Sequence, residues 1–377
     1  MTNNKTRVFG LDLMRAMAIA MVLCSHILWI YNPKDEIIKQ FFSLFGFLGV
    51  EFFFVLSGYL IGKMLYSIYI KDDYTIKSAF FFLRRRLFRT LPNYYLILII
   101  NIIITTALGY SIPKLGLYFI FLQNGFSRMS TFFPESWSLS VEEWAYVILP
   151  MSLLVLSFLF KPKNKSRFFL WLIILLIMLF IGFKIGYQIN TKITTLDEWN
   201  VSLKSVVIYR LDAIFIGVLC SWISVNYKKS WAKFKYLSAV FGALIMMFMY
   251  FGMGFLQILP DTYPFVWNVI YLPLASISIA FYMPFFSQLE ATIGIIKKPI
   301  EFISKISYAI YLFHYSVILQ LIMLFVDREN TSLIQFHMIT AFYFTVLILI
   351  SYVCYRFYEK PIMDLRDKNL THKIKYQ

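Results

Sequence analysis

The sequence predicts an all-α membrane protein of about ten transmembrane helices with both termini in the cytoplasm, and three observations predict it. Of 377 residues, 60% are hydrophobic and only 15% are charged, at a mean hydropathy of +0.69. A water-soluble domain has too little interior to hide that much apolar surface. Apolar runs of spanning length recur near residues 11–30, 46–66, 91–108, 138–159, 168–188, 204–225, 237–253, 264–285, 306–326 and 337–355, each about what a helix needs to cross. With the N-terminus inside, Lys and Arg in the even-numbered loops and both tails total roughly 25, against about 7 in the odd-numbered loops, a strong positive-inside bias. The net charge of +16 is therefore assigned to topology, and nucleic acid is not expected as a partner. Cys24, Cys220 and Cys354 sit in apolar runs without metal-ligand spacing, which predicts buried thiols and neither a disulfide framework nor a metal site. No cleavage site follows the first run, so it reads as a retained span. No internal repeat is detectable. Residues 8–361 read as a single transmembrane domain and 362–377 as a basic cytoplasmic tail.

Span one, LDLMRAMAIAMVLCSHILWI, carries Asp12, Arg15 and His26. A charge near the bilayer centre costs about 2.5–3.5 kcal/mol on insertion scales, so such groups face protein and usually mark function. Arg15 and His26 are close to three helical turns apart; they share a face at depths differing by roughly 16 Å. The next loop reads only as a connection. In span two, Gly46, Gly49 and Gly58 let a neighbouring backbone approach, Ser57 lies at mid-depth, and Glu51 needs a partner. The following inner segment ends in FFLRRRLFRTLPNYY. Pro92 is expected to open span three, because the first helical turn has no use for its missing N–H. Of the four preceding arginines, Arg85 and Arg89, or Arg86 and Arg89, share a helical face, and their guanidinium forks suit phosphate. An anionic-lipid anchor is the alternative.

The 109–136 loop contains an apolar piece, Leu115 to Leu122, too brief to cross; it is expected to form a short re-entrant or interfacial helix. It leads into PESWSLSVEEWAYVILP, where Trp137, Glu142 and Glu143 open span four. Glu142 falls near the depth of His26, which predicts an acid–base pair. Spans five and seven are nearly pure Leu, Ile, Phe and Met and carry no predicted chemistry, while Lys63 and Lys184 lie near span ends where they can snorkel. Span six, VIYRLDAIFIGVL, holds Arg210 and Asp212, too close in sequence to face each other, so each pairs elsewhere; Asp212 is a candidate partner for a deep arginine. Pro273, Pro284 and Asn268 mark a kinked span eight. Span nine places Tyr308, Tyr311, His314 and Tyr315 on one stripe, with His314 either a substrate contact or a packed core histidine. Span ten leaves through YRFYEKPIMDL.

Seven runs, in order and across nearly the whole chain, resemble the integral-membrane acyltransferase family 3: LDLMRAMAIAMVLCSH, GVEFFFVLSGYLI, RRRLFRTLPNYY, WSLSVEEWAYVILP, RLDAIFIGVL, ISYAIYLFHYS and YEKP. The resemblance implies transfer of an acyl group, usually acetyl from cytoplasmic acetyl-CoA, to a hydroxyl of a carbohydrate beyond the cytoplasmic membrane, such as O-antigen, capsule or exopolysaccharide, without a metal. It makes His26 the essential histidine, Arg15 the motif arginine, and Arg86 with Arg89 the cytoplasmic pair. Trp137 and Glu142 match the loop tryptophan and glutamate, and Glu51 an acidic position. Leu13, Trp144, Ala145 and Ser316 depart from the pattern, the middle two at the expected acceptor pocket. The fused esterase-like domain of some members is not expected here. On this view the arginines hold the CoA phosphates and the pantetheine arm reaches His26 between spans one, two and four. His26 acts as base or acyl carrier, with Glu142, or secondarily Glu51, setting its tautomer, and Arg15 holds the donor or Asp12. A flippase for lipid-linked glycan is the alternative class, with inverted repeats as its signature.

Overall fold

Backbone in hydrocarbon has no water to bond, so an apolar chain closes its hydrogen bonds inside helices. The computed structural model describes residues 7–366 apart from 32, 34, 72, 192–194 and 291–293; the tail beyond Arg366 lies outside the described residues. Among these, nine helices are long and apolar enough to cross a membrane: α1 Phe9–Tyr31, α2 Phe41–Lys71, α3 Ile76–Ala107, α4 Ser136–Phe160, α5 Lys165–Asn190, α7 Lys235–Phe255, α8 Val266–Phe286, α9 Gly294–Met323 and α10 Leu333–Arg366. A tenth, α6 Leu211–Asn226, is shorter. Arg7 and the arginines of α3 mark one face of the bundle, called here the N-terminal face; the 109–135 loop lies at the far face.

The shortness of α6 corrects the expected 204–225 span. Its outer portion is a π-turn at Asn200–Lys204 and a single 3₁₀ turn at Val207–Tyr209. This irregular backbone is satisfied by the preceding long loop: Met129 N–H donates to Val201 O at 2.9 Å, and Val207 N–H to Asn124 O at 3.0 Å. That loop folds back against the helices, where the sequence predicts a short re-entrant or interfacial helix. It holds the one-turn helix Gly116–Phe119 and buries Tyr118, Phe121, Phe132 and Phe133. The carbonyls of Tyr118, Phe119 and Phe121 accept from Tyr94 Oη, Tyr95 Oη and Trp144 Nε1 at 2.8, 2.8 and 2.9 Å. Tyr94 lies thirteen residues before the end of α3, on the order of 20 Å along the helix. Such depth is tolerable because protein covers the loop.

Pro92 does not open a helix; it sits inside α3, which starts at a capping box on Thr75. The proline leaves the carbonyl four residues earlier without its helical donor. Two nearby carbonyls also accept from neighbouring helices: Tyr308 Oη donates to Thr90 O at 2.8 Å and Tyr358 Oη to Pro92 O at 3.3 Å. The closest helix contact joins α2 and α6 through Gly58 and Gly217. A Cβ on Gly58 would lie 1.9 Å from Ile214 O, and one on Gly217 2.2 Å from Val55 O, so only a bare backbone fits.

Two buried ion pairs tie these helices together and revise three expectations. Lys184 does not snorkel: its ammonium is fully buried and donates to Asp212 at 2.5 Å. The partner of Asp212 is thus a lysine, because α5 packs against α6 and brings the counter-charge closer than the membrane surface. Arg210 pairs with Glu51, both at 0% exposure, and Ser276 Oγ adds a bond to Glu51 at 2.9 Å. Glu51 is thereby taken and is not a partner of His26.

Candidate active site

On the N-terminal face, α1, α2, α3, α9 and α10 enclose a cavity of ≈ 420 Å³ whose lining includes Arg7, Arg15, Arg85, Arg86, Arg89, Lys305 and Arg366 against only Asp12 and Glu359. Asp12 is already engaged, by Arg7 at 2.5 and 2.8 Å, Arg15 at 3.5 Å and Ser304 Oγ at 2.7 Å. Glu359 accepts from Asn93 at 2.8 Å. Among the described residues no carboxylate stands within ion-pairing distance of Arg85, Arg86 or Arg89. Arg86 reaches only Met64 Sδ, at 3.8 Å, and its buried Nε has no partner. Unpaired guanidinium groups in a walled cavity fit a multiply charged anion. Arg84 is not in this lining; it packs on Phe88 at 5.5 Å.

A second, narrower cavity of ≈ 100 Å³ adjoins the first through Arg15, Leu60, Arg86 and Arg89, and runs inward past Phe53, Phe54, Ser57, Ser138, Glu142, Tyr146, Tyr308 and Tyr311. Its hydroxyls are paired across it, Ser57 with Tyr146 at 2.6 Å and Ser138 with Tyr311 at 2.5 Å. Glu142 therefore shares a chamber with Arg86 and Arg89, and the expected Glu142–His26 pair does not form. On α4 Glu142 shares its face with Ser138 and Tyr146, one turn away on either side, and that face looks into the narrow cavity, which Arg15 also lines. Glu143, on another face, is buried with Oε2 unpartnered.

His26, partly exposed near the far end of α1, turns toward α9. Its Nδ1 lies 2.9 Å from Val22 O and 3.3 Å from Ser25 Oγ. A carbonyl only accepts, so Nδ1 carries the proton and Nε2 presents a lone pair. The ring centroid lies 4.7 Å from that of His314 and 4.9 Å from that of Tyr315. His314 is fully buried at the first position of a π-turn, His314–Leu319, a distortion frequent at functional sites. Its Nδ1 donates to Tyr311 O at 2.6 Å, while its Nε2 is buried without a partner. From the narrow cavity the rings form a continuous series: Phe53 to Tyr311 at 6.1 Å, Tyr311 to His314 at 5.4 Å, and His314 to His26.

A family model described as an acyltransferase domain matches residues 8–356. The chain belongs to this acyltransferase family, as its seven motifs predict. It is similar to "Putative O-acetyltransferase SAR0937" of Staphylococcus aureus strain MRSA252, 27% identical over 392 residues that cover 97% of this chain and 59% of the relative. It is also similar to O-acetyltransferase OatA of Staphylococcus aureus strain NCTC 8325, 26% identical over 387 residues that cover 94% of this chain and 57% of the relative. The chain spans under three-fifths of the length of these curated relatives. No solved structure matches it. In this member of the family, sequence reasoning overlooked the contact of His314 with His26, the Ser57–Tyr146 and Ser138–Tyr311 pairs, and Lys204, which stood only among the outer-loop charges. Four-residue spacing from Glu142 was the available signal for Ser138 and Tyr146.

Proposed function

We propose that this acyltransferase, with residues 8–361 acting as one unit of the cytoplasmic membrane, moves an acyl group, acetyl above all, from cytoplasmic acyl-CoA to a hydroxyl of an extracytoplasmic carbohydrate. The observation that carries this reading is the pair of adjoining cavities. The wider one, with its unpaired arginines, suits the nucleotide phosphates; the narrow, mostly apolar one suits an extended pantetheine arm. The distance also fits, since the rise from Arg15 to His26 along α1 is roughly 16 Å. On this reading the N-terminal face is the cytoplasmic one, in keeping with the positive-inside bias.

At the far end, the Nε2 lone pair of His26 removes the proton from the acceptor hydroxyl as its oxygen attacks the thioester carbonyl. The C–O bond forms, the C–S bond breaks, and the departing thiolate recovers the proton from His26. The role first assigned to Glu142, stabilising the imidazolium, passes to His314, whose free Nε2 is an acceptor on the ring packed against His26. Replacing His314 with Phe keeps ring volume and removes both nitrogens; kcat is expected to fall while the KM values for donor and acceptor hold, and an unchanged kcat rejects the assignment.

Reconstituted vesicles given radiolabelled acetyl-CoA on the cytoplasmic side and envelope glycan on the other test the whole reading: label in the glycan is expected. Glycan translocation without label would make the protein a flippase. Changing Arg86 and Arg89 together to Gln is expected to raise the acetyl-CoA KM about 10- to 100-fold, the worth of one or two charge-assisted hydrogen bonds. An unchanged KM would return these arginines to topology setting alone.

A further inference from the structure

Lys204 has no part in the route from the arginines to His26, yet the far face is built around it. It ends the π-turn Asn200–Lys204, partly buried. The side-chain amide of Asn124 donates to Trp137 O at 3.1 Å and to Ser205 O at 2.7 Å, so one residue clamps the turn carrying Lys204 to the start of α4. Lys204 Nζ consequently lies 5.9 Å from the centre of the Trp137 ring, which packs at 5.8 Å on Phe54 of the narrow cavity.

The deep cations Lys184 and Arg210 each have a carboxylate. Lys204 has none within ion-pairing distance among the described residues. A partly buried, unpaired ammonium is costly to hold, and burial lowers Lys204 to about 8, which still leaves it mostly charged at neutral pH. Topology does not explain it either, because a cation on the far face runs against the positive-inside bias. The missing counter-charge beside an indole on the far face is what a bound acid would provide.

We infer that the acceptor is an acidic glycan, with a carboxylate or phosphate held by Lys204 while the reacting hydroxyl lies at His26. This rests on the acyl-transfer reading above and adds the class of acceptor. The indole of Trp137 forms the adjoining wall, and Tyr315, 4.9 Å from the His26 ring and 5.8 Å from that of Trp29, stands beside His26.

The test is to map the product. The unaltered protein is given ¹³C-acetyl-CoA and isolated envelope glycan, and the labelled sugar is sequenced by mass spectrometry. Acetyl is expected on a sugar that bears, or directly adjoins, a carboxylate or phosphate, and the product identifies which. In parallel, Lys204→Met keeps the aliphatic stem and removes the charge. It is expected to raise the acceptor KM about 10- to 100-fold with the acetyl-CoA KM unchanged, and Lys204→Arg is expected to recover part of the loss. Acetyl found on a neutral glycan overturns the inference, whatever the variants do. So does a Lys204→Met enzyme with reduced kcat and an unaltered acceptor KM, which would make Lys204 a stabiliser of the reacting carbonyl. No label in any glycan with the unaltered protein is a separate result and overturns the acyl-transfer reading itself.

Discussion

His26→Ala protein is expected to insert in the membrane, to bind acetyl-CoA as the unaltered protein does on the acyl-transfer reading, and to transfer no measurable acetyl. General base catalysis is worth about 10²- to 10⁴-fold, and the alternative of a covalent acyl-histidine would lose still more. The separation of effects follows from geometry. The imidazole's hydrogen bonds are to a backbone carbonyl and Ser25 on its own helix, contacts whose loss leaves the bundle intact, and Arg15, which lines the arginine-rich cavity, lies roughly 16 Å away along α1. Labelled acetyl in glycan and labelled acetyl-CoA bound to the same vesicles are the two measurements. Transfer within a few-fold of the unaltered protein would remove His26 from the mechanism. Loss of donor binding together with activity would instead show that His26 maintains the fold.

Arg210→Met is expected to be the most destabilising single change in the helix bundle. It leaves the Glu51 carboxylate buried at 0% exposure with only Ser276 Oγ as a donor. Removing one partner of a buried pair costs about 3–5 kcal/mol, whereas replacing both with apolar groups of similar volume is often neutral. The thermal midpoint of detergent-solubilised protein should therefore drop sharply in Arg210→Met and recover in the double variant Glu51→Leu, Arg210→Met. A double variant no more stable than the single would show that the pair does more than neutralise itself. Activity adds a second reading: Arg210 and Glu51 lie outside both cavities, so a stable double variant should retain acyl transfer.

Much of this architecture is legible in the linear chain because the bilayer makes it so. Hydrocarbon demands helices of a set length, and a charge inside one has few acceptable positions. The ten apolar stretches, the folded-back 109–135 loop and the engagement of Arg15 with Asp12 all follow from that demand. The two misplaced boundaries, at Pro92 and at the start of α6, have a common cause. In each case another segment packs its hydrogen-bonding groups against the backbone: tyrosine hydroxyls from α9 and α10 beside Pro92, and the 109–135 loop before Leu211. A linear sequence does not disclose which segment arrives there.

The site divides in the same way. Sequence alone pointed to the family, the order of the charged groups along each helix and the shared face of Arg15 and His26, since position along a helix accumulates at about 1.5 Å per residue. Only the tertiary structure decided who meets whom: His26 with His314, Glu142 with the arginine chamber, Glu51 with Arg210, Lys184 with Asp212, and Lys204 with no acid among the described residues. Those meetings depend on the rotation of each helix about its axis. That rotation is set by packing, as at the Gly58–Gly217 crossing where bare backbones touch, and no single helix contains it.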